Sequence, residues 1–278
     1  MTSGEDREYV LGTHDDELTR LGFQHRIWSE SATALWERAG LTRGMRALDV
    51  GCGPGFATRD LALIVGDGGM VTGVDISSRF IEYARRRSVE TEGAGGARLE
   101  FEVADVQSLD LAPSSFDFAY ARWVLCFVPN PGAVIDGVMR ALRPGGVFAI
   151  QDYNFYRSVR IHPTSPAFEH ALDAVNESWR LGGGDPDIGG RLPTMLRERG
   201  ATVRELRPLH RLARPGGLLW NWPATFFRNY LPSLVEKGLL SNDDRVAFER
   251  DFAARSNDPG AYFTTPSMIE IIAAKGDH

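Results

Sequence analysis

Three observations predict an α/β protein built on a doubly wound, mostly parallel sheet. Short apolar runs alternate with helical patterns from Arg46 to Asp152, the alternation that strand–helix–strand units produce. The first run breaks into Gly51, Gly53 and Gly55 before a helical stretch, so a strand passes through a tight turn into a helix. Acids then stand at the ends of later runs, at Asp75 and Asp105, where open α/β sheets bind their ligands.

The elements follow in order. Thr13 to Arg38 carries Leu18, Leu21, Ile27, Trp28, Leu35 and Trp36 at helical steps, behind a cap at Thr13 and the acids Asp15, Asp16 and Glu17, which complement a helix N-terminus. Residues 1–43 therefore read as an N-terminal helical cap, in which Tyr9, Gln24 and His25 are the polar or mixed residues able to face a pocket. Ala47, Leu48 and Val50 form the first strand around Asp49. Glycines at alternate positions allow positive φ and close approach of a ligand to the main chain. The spacing separates two chemistries. A dinucleotide turn places its third glycine one residue later than this one does, and here Phe56 takes that place, while no P-loop pattern occurs. Pyrophosphate is thus not the expected guest.

A helix from Thr58 to Ile64 leads to a second strand, Met70–Asp75. Asp75 lies 20 residues past Gly55, the length of a helix and a returning strand, which sets a carboxylate beside the glycine turn to accept from ribose hydroxyls. Ile76 can cover an adenine face. A helix Ser78–Arg87 and a third strand, Leu99–Val103, bring Asp105 to the same end. The fourth strand, Phe116–Ala121, runs on through Arg122–Phe127, expected as a helix that Pro129-Asn130-Pro131 interrupts. A helix Ala133–Leu142 and the turn Arg143–Gly146 precede the fifth strand, Val147–Asp152. Beyond it come an irregular stretch with Pro163 and Pro166, helices at Ala167–Trp179 and Arg191–Arg199, and strands at Thr202–Leu206 and Ser267–Ala274. Between those strands an insertion at about 208–262 concentrates Trp220, Trp222, Phe226, Phe227 and Tyr230 and reads as a lid on the domain spanning 44–278.

Composition narrows the partners. The net charge of −6 and 24% charged residues do not supply the positive surface that nucleic acid requires. Two cysteines, Cys52 and Cys126, make no disulfide framework or metal pattern, so buried reduced thiols and no metal are expected. No apolar run is long enough to span a bilayer and the first residues resemble no leader, so a cytoplasmic enzyme with no membrane partner is expected.

D-V-G-C-G-P-G at Asp49–Gly55, the acid at Asp75, A-D-V at Ala104–Val106, Arg122-Trp123-Val124-Leu125 and L-R-P-G-G at Leu142–Gly146 resemble the class I S-adenosylmethionine-dependent methyltransferases. The segment Tyr9–His25 is similar to the cap of a small-molecule branch of that family. The resemblance implies a Rossmann-like seven-stranded sheet of order 3-2-1-4-5-7-6 whose last strand is antiparallel. It implies S-adenosylmethionine as cofactor, its methionine end on Asp49, Gly51, Cys52, Gly53, Ala121 and Arg122. Asp75 would hold the ribose, Ile76 flank the adenine, and Ala104, Asp105 and Val106 read its amino group, with Tyr9 and Gln24 closing the pocket.

The substrate follows less directly. Ala121-Arg122-Trp123-Val124 departs from the [DN]-P-P-[FY] motif of methylases acting on DNA bases and glutamine amides, which counts against those substrates. The aromatic insertion suggests a small, largely apolar acceptor, with O-methylation of an aromatic or polyketide-like metabolite as its particular form. Trp28, Tyr153, Tyr156, Trp222 and Phe226 are the expected substrate contacts. No single base stands out: His25, Tyr153, His162 and His170 are the candidates, and methyl transfer can rest on alignment alone. A homodimer is compatible with this reading. The rival readings are a non-methylating reaction around the same cofactor and a nicotinamide-dependent oxidoreductase, which Phe56 disfavours.

Overall fold

The computed structural model describes residues 15–89 and 96–276. The chain begins with α1 (Asp15–Arg38), β1 (Arg46–Val50), α2 (Phe56–Val65), β2 (Met70–Asp75), α3 (Ser78–Val89) and β3 (Arg98–Val103). It continues through β4 (Phe116–Arg122), α4 (Pro131–Ala141), β5 (Leu142–Phe155), β6 (Arg160–His162), α5 (Pro166–Leu181) and α6 (Leu192–Glu198). It closes with β7 (Ala201–Leu209), β8 (Leu212–Ala213), α7 (Asn221–Glu236), α8 (Asn242–Ser256), β9 (Tyr262–Thr264) and β10 (Ser267–Lys275).

Seven strands form one sheet in the order β3-β2-β1-β4-β5-β10-β7. With the three short strands set aside, this is the expected 3-2-1-4-5-7-6, and β10 runs antiparallel to both β5 and β7. The central strands are buried on both faces, as crossover helices require. Side chains alternate along each strand. Ala47, Val71, Phe118 and Tyr120 therefore meet Trp36 of α1 and Leu61 of α2 on one face. Leu48, Val74, Ala119 and Phe148 meet α4, α5 and α6 on the other. β1 lies between β2 and β4, with Leu48 opposite Thr72 and Ala119, so the ends of β1, β2 and β4 open onto one crevice.

Two expectations are corrected. The stretch Trp123–Phe127 is an irregular turn and not a helix. Trp123 sits at φ 52°, and the Asp152 carboxylate accepts from the Leu125 and Cys126 N–H groups at 2.9 and 3.3 Å, which fixes the turn outside helical geometry. The stretch after β5 is also more ordered than expected. β6 pairs with β9, which pairs with β8, in a second, antiparallel sheet. The insertion between β7 and β10 is thus fastened to a segment that precedes β7, and α5 packs on both α7 and α8.

α1 lies against α2 and α7. Arg38 at its end reaches the far edge of the sheet, donating to Glu205 at 2.8 Å and to Glu270. Cys52 and Cys126 are buried free thiols. No helix among the described residues is long and apolar enough to cross a membrane.

Candidate functional site

The glycine turn and three acids form one end of the crevice. Gly51, Gly53 and Gly55 have φ of 65°, 53° and 74°, a left-handed series that other residues enter at a cost. A Cβ at Gly51 would stand 2.5 Å from Val124 Cγ2, whereas one at Gly53 would meet nothing within 4 Å. Gly51 is therefore required by packing as well as by its backbone, and Gly53 by its left-handed backbone alone. Asp75 closes the unit: its Oδ2 accepts from the Gly53 N–H and its Oδ1 from the Ser77 N–H, each at 2.9 Å. Burial raises its pKa against those backbone bonds. Asp49, at the base of the turn, is 2% exposed and accepts from Thr58 Oγ1 at 2.6 Å. Burial pushes it up to about 7, opposed by Thr58 and by the charge of Arg122.

A cavity of about 450 Å³ lies over these groups. Gly51, Cys52, Gly53, Asp49, Asp75 and Ile76 line it, as do Asp105, Val106, Arg122, Gln24 and His25. Asp105 is oriented by the short turn it caps, accepting from the Gln107 N–H at 2.9 Å. Ala104 and Ala121 are not in the lining; they set the backbone from which Asp105 and Arg122 project. Tyr9 lies outside the described residues.

Sequence reasoning missed the connection between α1 and this floor. Arg122 Nη2 lies 3.1 Å from His25 Nδ1, and His25 Nε2 lies 2.9 Å from Asp60 Oδ2. A guanidinium can only donate, so Nδ1 is the acceptor and the ring hydrogen sits on Nε2, facing Asp60. His25 is consequently the neutral tautomer that orients Arg122. Nη1 of Arg122 is buried and has no hydrogen-bond partner among the described residues, and a buried cationic donor in that state is expected to meet an anion in the functional complex.

A second, smaller chamber of about 30 Å³ adjoins the first, sharing Gln24, Trp123 and Phe127. Tyr153, Tyr156, Trp222 and Phe226, four of the five expected substrate contacts, line it. Trp28 instead stands behind the wall, edge-on to Trp123 and Trp222 with ring centroids 5.9 and 5.2 Å apart. Trp123 is the element that sequence reasoning did not place there: it stacks between Tyr153 and Trp222 at 6.0 and 6.3 Å. Its orientation follows from the positive φ that only the fold reveals.

Of the four candidate bases, His162 and His170 stand apart from this site. His162 stacks on Tyr262 in the small sheet at 4.4 Å, and His170 faces Asp244 on an open surface groove; neither lines the two joined cavities. Tyr153 lines the aromatic chamber, but burial holds its phenol well above the ordinary value, so it keeps its proton. Among the described residues no cluster of His, Cys, Asp and Glu is arranged to hold a metal ion.

The fold and this site define an α/β protein with a glycine- and carboxylate-floored cavity at the carboxyl ends of its parallel strands. The chain belongs to the methyltransferase domain family, whose family model matches residues 41–200, more than half of its length. It is 30% identical over 210 residues to the methyltransferase GfsG of Streptomyces halstedii, covering 75% of this chain and 70% of that one. It is 34% identical over 149 residues to the 27-O-demethylrifamycin SV methyltransferase of Amycolatopsis mediterranei, covering 50% of this chain and 53% of that one. An uncharacterised 37.1 kDa protein of a Streptomyces fradiae transposon is 29% identical, with 76% and 60% covered. The chain thus spans between about half and 70% of the length of these curated relatives. Among solved structures, Bacillus YcgJ aligns with a TM-score of 0.61 at 18% identity, covering 90% of this chain and 100% of that one. The [4+2]-cyclase SpnF aligns at 0.58 and 18%, covering 90% and 82%. At such identities these two likenesses concern the fold alone.

Proposed function

We propose that this methyltransferase transfers a methyl group from S-adenosylmethionine to a small, largely apolar organic acceptor, with an oxygen as the receiving atom. The observation that carries the reading is the junction of two unlike cavities, one floored by glycines and carboxylates and the other walled by aromatic rings.

The first cavity fits the cofactor by its donor set. Arg122, whose Nη1 has no partner among the described residues, would hold the cofactor's carboxylate, and Asp49 its ammonium. Asp75 would accept from the ribose hydroxyls through the lone pairs that Gly53 and Ser77 leave free, Asp105 would face the adenine amine, and Ile76 would cover the ring. Arg122 is the one permanent cation among the described residues lining this cavity, against the carboxylates of Asp49, Asp75 and Asp105. A pyrophosphate would meet net repulsion there, which disfavours a nicotinamide dinucleotide. When bound, S-adenosylmethionine supplies an electrophilic methyl on a sulfonium that leaves as a neutral thioether.

The chain's own residues supply alignment. Trp123, stacked between Tyr153 and Trp222, forms with them one aromatic wall against which a planar acceptor would lie out of water, and fixing two reactants in register removes much of the entropic barrier. His25 has its Nδ1 lone pair engaged by Arg122, and Tyr153 stays protonated, so neither acts as a base. The acceptor would react as its oxyanion, having lost its proton to solvent, and the O–CH3 bond forms as the C–S bond to the departing thioether breaks. The demethylrifamycin enzyme, by its name a methyltransferase of a small molecule, supports an acceptor of that class.

The test incubates the full chain with methyl-labelled S-adenosylmethionine and a panel of planar phenols. The expected result is labelled product and S-adenosylhomocysteine in equal amounts. A rearranged product without S-adenosylhomocysteine would point to the non-methylating reaction, and conversion of no acceptor would count against the reading.

A further inference from the structure

We propose that Gln24 selects the acceptor, its side-chain amide hydrogens binding a hydrogen-bond-accepting oxygen of a planar substrate where the two cavities meet. The assignment rests on the methyl-transfer reading and names what the aromatic chamber recognises.

Gln24 Oε1 accepts from Arg20 Nη1 and from Trp222 Nε1, both at 2.9 Å. Guanidinium and indole nitrogens are donors only, so chemistry forces the oxygen to that side and the amide cannot be flipped. Nε2 has no partner among the described residues, and Gln24 lines both cavities. Two amide hydrogens are therefore left for whatever fills the junction.

Both supports of the amide are rigid. Arg20 donates to Glu17 through Nε at 2.7 Å and Nη2 at 2.6 Å, an ion pair in which each side chain is 3% exposed. Trp222 is stacked on Trp123 and edge-on to Trp28. Gln24 is thus held by α1 from one side and by the inserted helix α7 from the other, across 198 residues of sequence. Tyr153, Tyr156 and Trp179 line the smaller chamber only. Of the residues shared by both cavities, Phe127 has no side-chain donor and the Trp123 N–H is spent on Met268, so an acceptor oxygen at the junction finds its donor at Gln24. A site built around such a donor rejects an analogue that leaves it unpaired.

The experiment uses the full chain with S-adenosylhomocysteine added and two probes of similar size, acetophenone, which accepts a hydrogen bond, and cumene, which cannot. Binding is read by quenching of tryptophan fluorescence. Acetophenone is expected to bind about three- to tenfold more tightly than cumene, the worth of one hydrogen bond. Gln24→Glu keeps two acceptor oxygens for Arg20 and Trp222 but removes the donor; the preference disappears while S-adenosylhomocysteine still binds. Trp222→Phe keeps the ring but frees one side of the amide, and the preference falls partway. Equal binding of the two probes by the wild type, or a preference that survives Gln24→Glu, overturns the assignment. So does a Gln24→Glu variant that loses S-adenosylhomocysteine while keeping the preference, which would place the amide on the cofactor. Failure of the wild type to bind S-adenosylhomocysteine sinks the methyl-transfer reading itself, and the assignment with it.

Discussion

Replacing Asp75 by asparagine tests the glycine turn and the ribose contact together. Both carboxylate oxygens accept backbone hydrogens, Oδ2 from Gly53 and Oδ1 from Ser77, each at 2.9 Å. An amide has one oxygen, so in either orientation its NH2 group faces a backbone N–H and one donor is left unpaired. Leaving such a donor unsatisfied costs about 1–3 kcal/mol. The same change removes the charged acceptor proposed for the ribose, and bonds to charged groups contribute about 1.5–3 kcal/mol, roughly a tenfold to hundredfold loss of affinity. Urea denaturation reads the first effect and calorimetry with S-adenosylhomocysteine the second. An asparagine variant with an unchanged urea midpoint and unchanged affinity would refute the reasoning at both levels.

Other predictions follow from the same geometry. Gly53→Ala adds only left-handed strain and destabilises by about 1 kcal/mol. Gly51→Ala also drives a Cβ to 2.5 Å from Val124 Cγ2 and costs about 3 kcal/mol or more, part of which Val124→Ala restores; equal costs in the denaturation curves would contradict this. Burial raises Asp49 from 3.8 to about 7, so the folded chain keeps a proton that the unfolded chain has lost. Its contribution to stability is therefore present at low pH and fades as pH rises between those values. Cofactor binding moves the other way, because the ionised form attracts the ammonium: affinity for S-adenosylhomocysteine rises from about pH 6 to about pH 8, and Asp49→Asn flattens the rise. Nitrogen NMR finds the His25 hydrogen on Nε2, and His25→Ala weakens S-adenosylhomocysteine about three- to tenfold by releasing Arg122; a hydrogen on Nδ1 would disprove the relay.

What the sequence made legible was governed by local rules. Gly51, Gly53, Asp75 and Asp105 stand at strand ends in a fixed relation to strand and helix lengths, so the sheet and the polar floor follow from spacing. Trp123–Phe127 misled because an apolar run after a strand looks helical, and only the distant Asp152 carboxylate holds it in a turn. The β6 strand was invisible because its three residues acquire strand character only by pairing with β9, a hundred residues later. His25 and Gln24 were visible as polar residues on an apolar helix, but their partners Asp60, Arg122 and Trp222 depend on how α1 crosses the sheet. His162 and His170 show the converse: a residue type suited to catalysis says nothing about place.

Calorimetric titration of the full chain with S-adenosylhomocysteine and, separately, with NAD tests the central claim most directly. The account predicts one S-adenosylhomocysteine per chain, with affinity lost in Arg122→Met, and no heat from NAD. Binding of NAD, or no binding of S-adenosylhomocysteine, would contradict it.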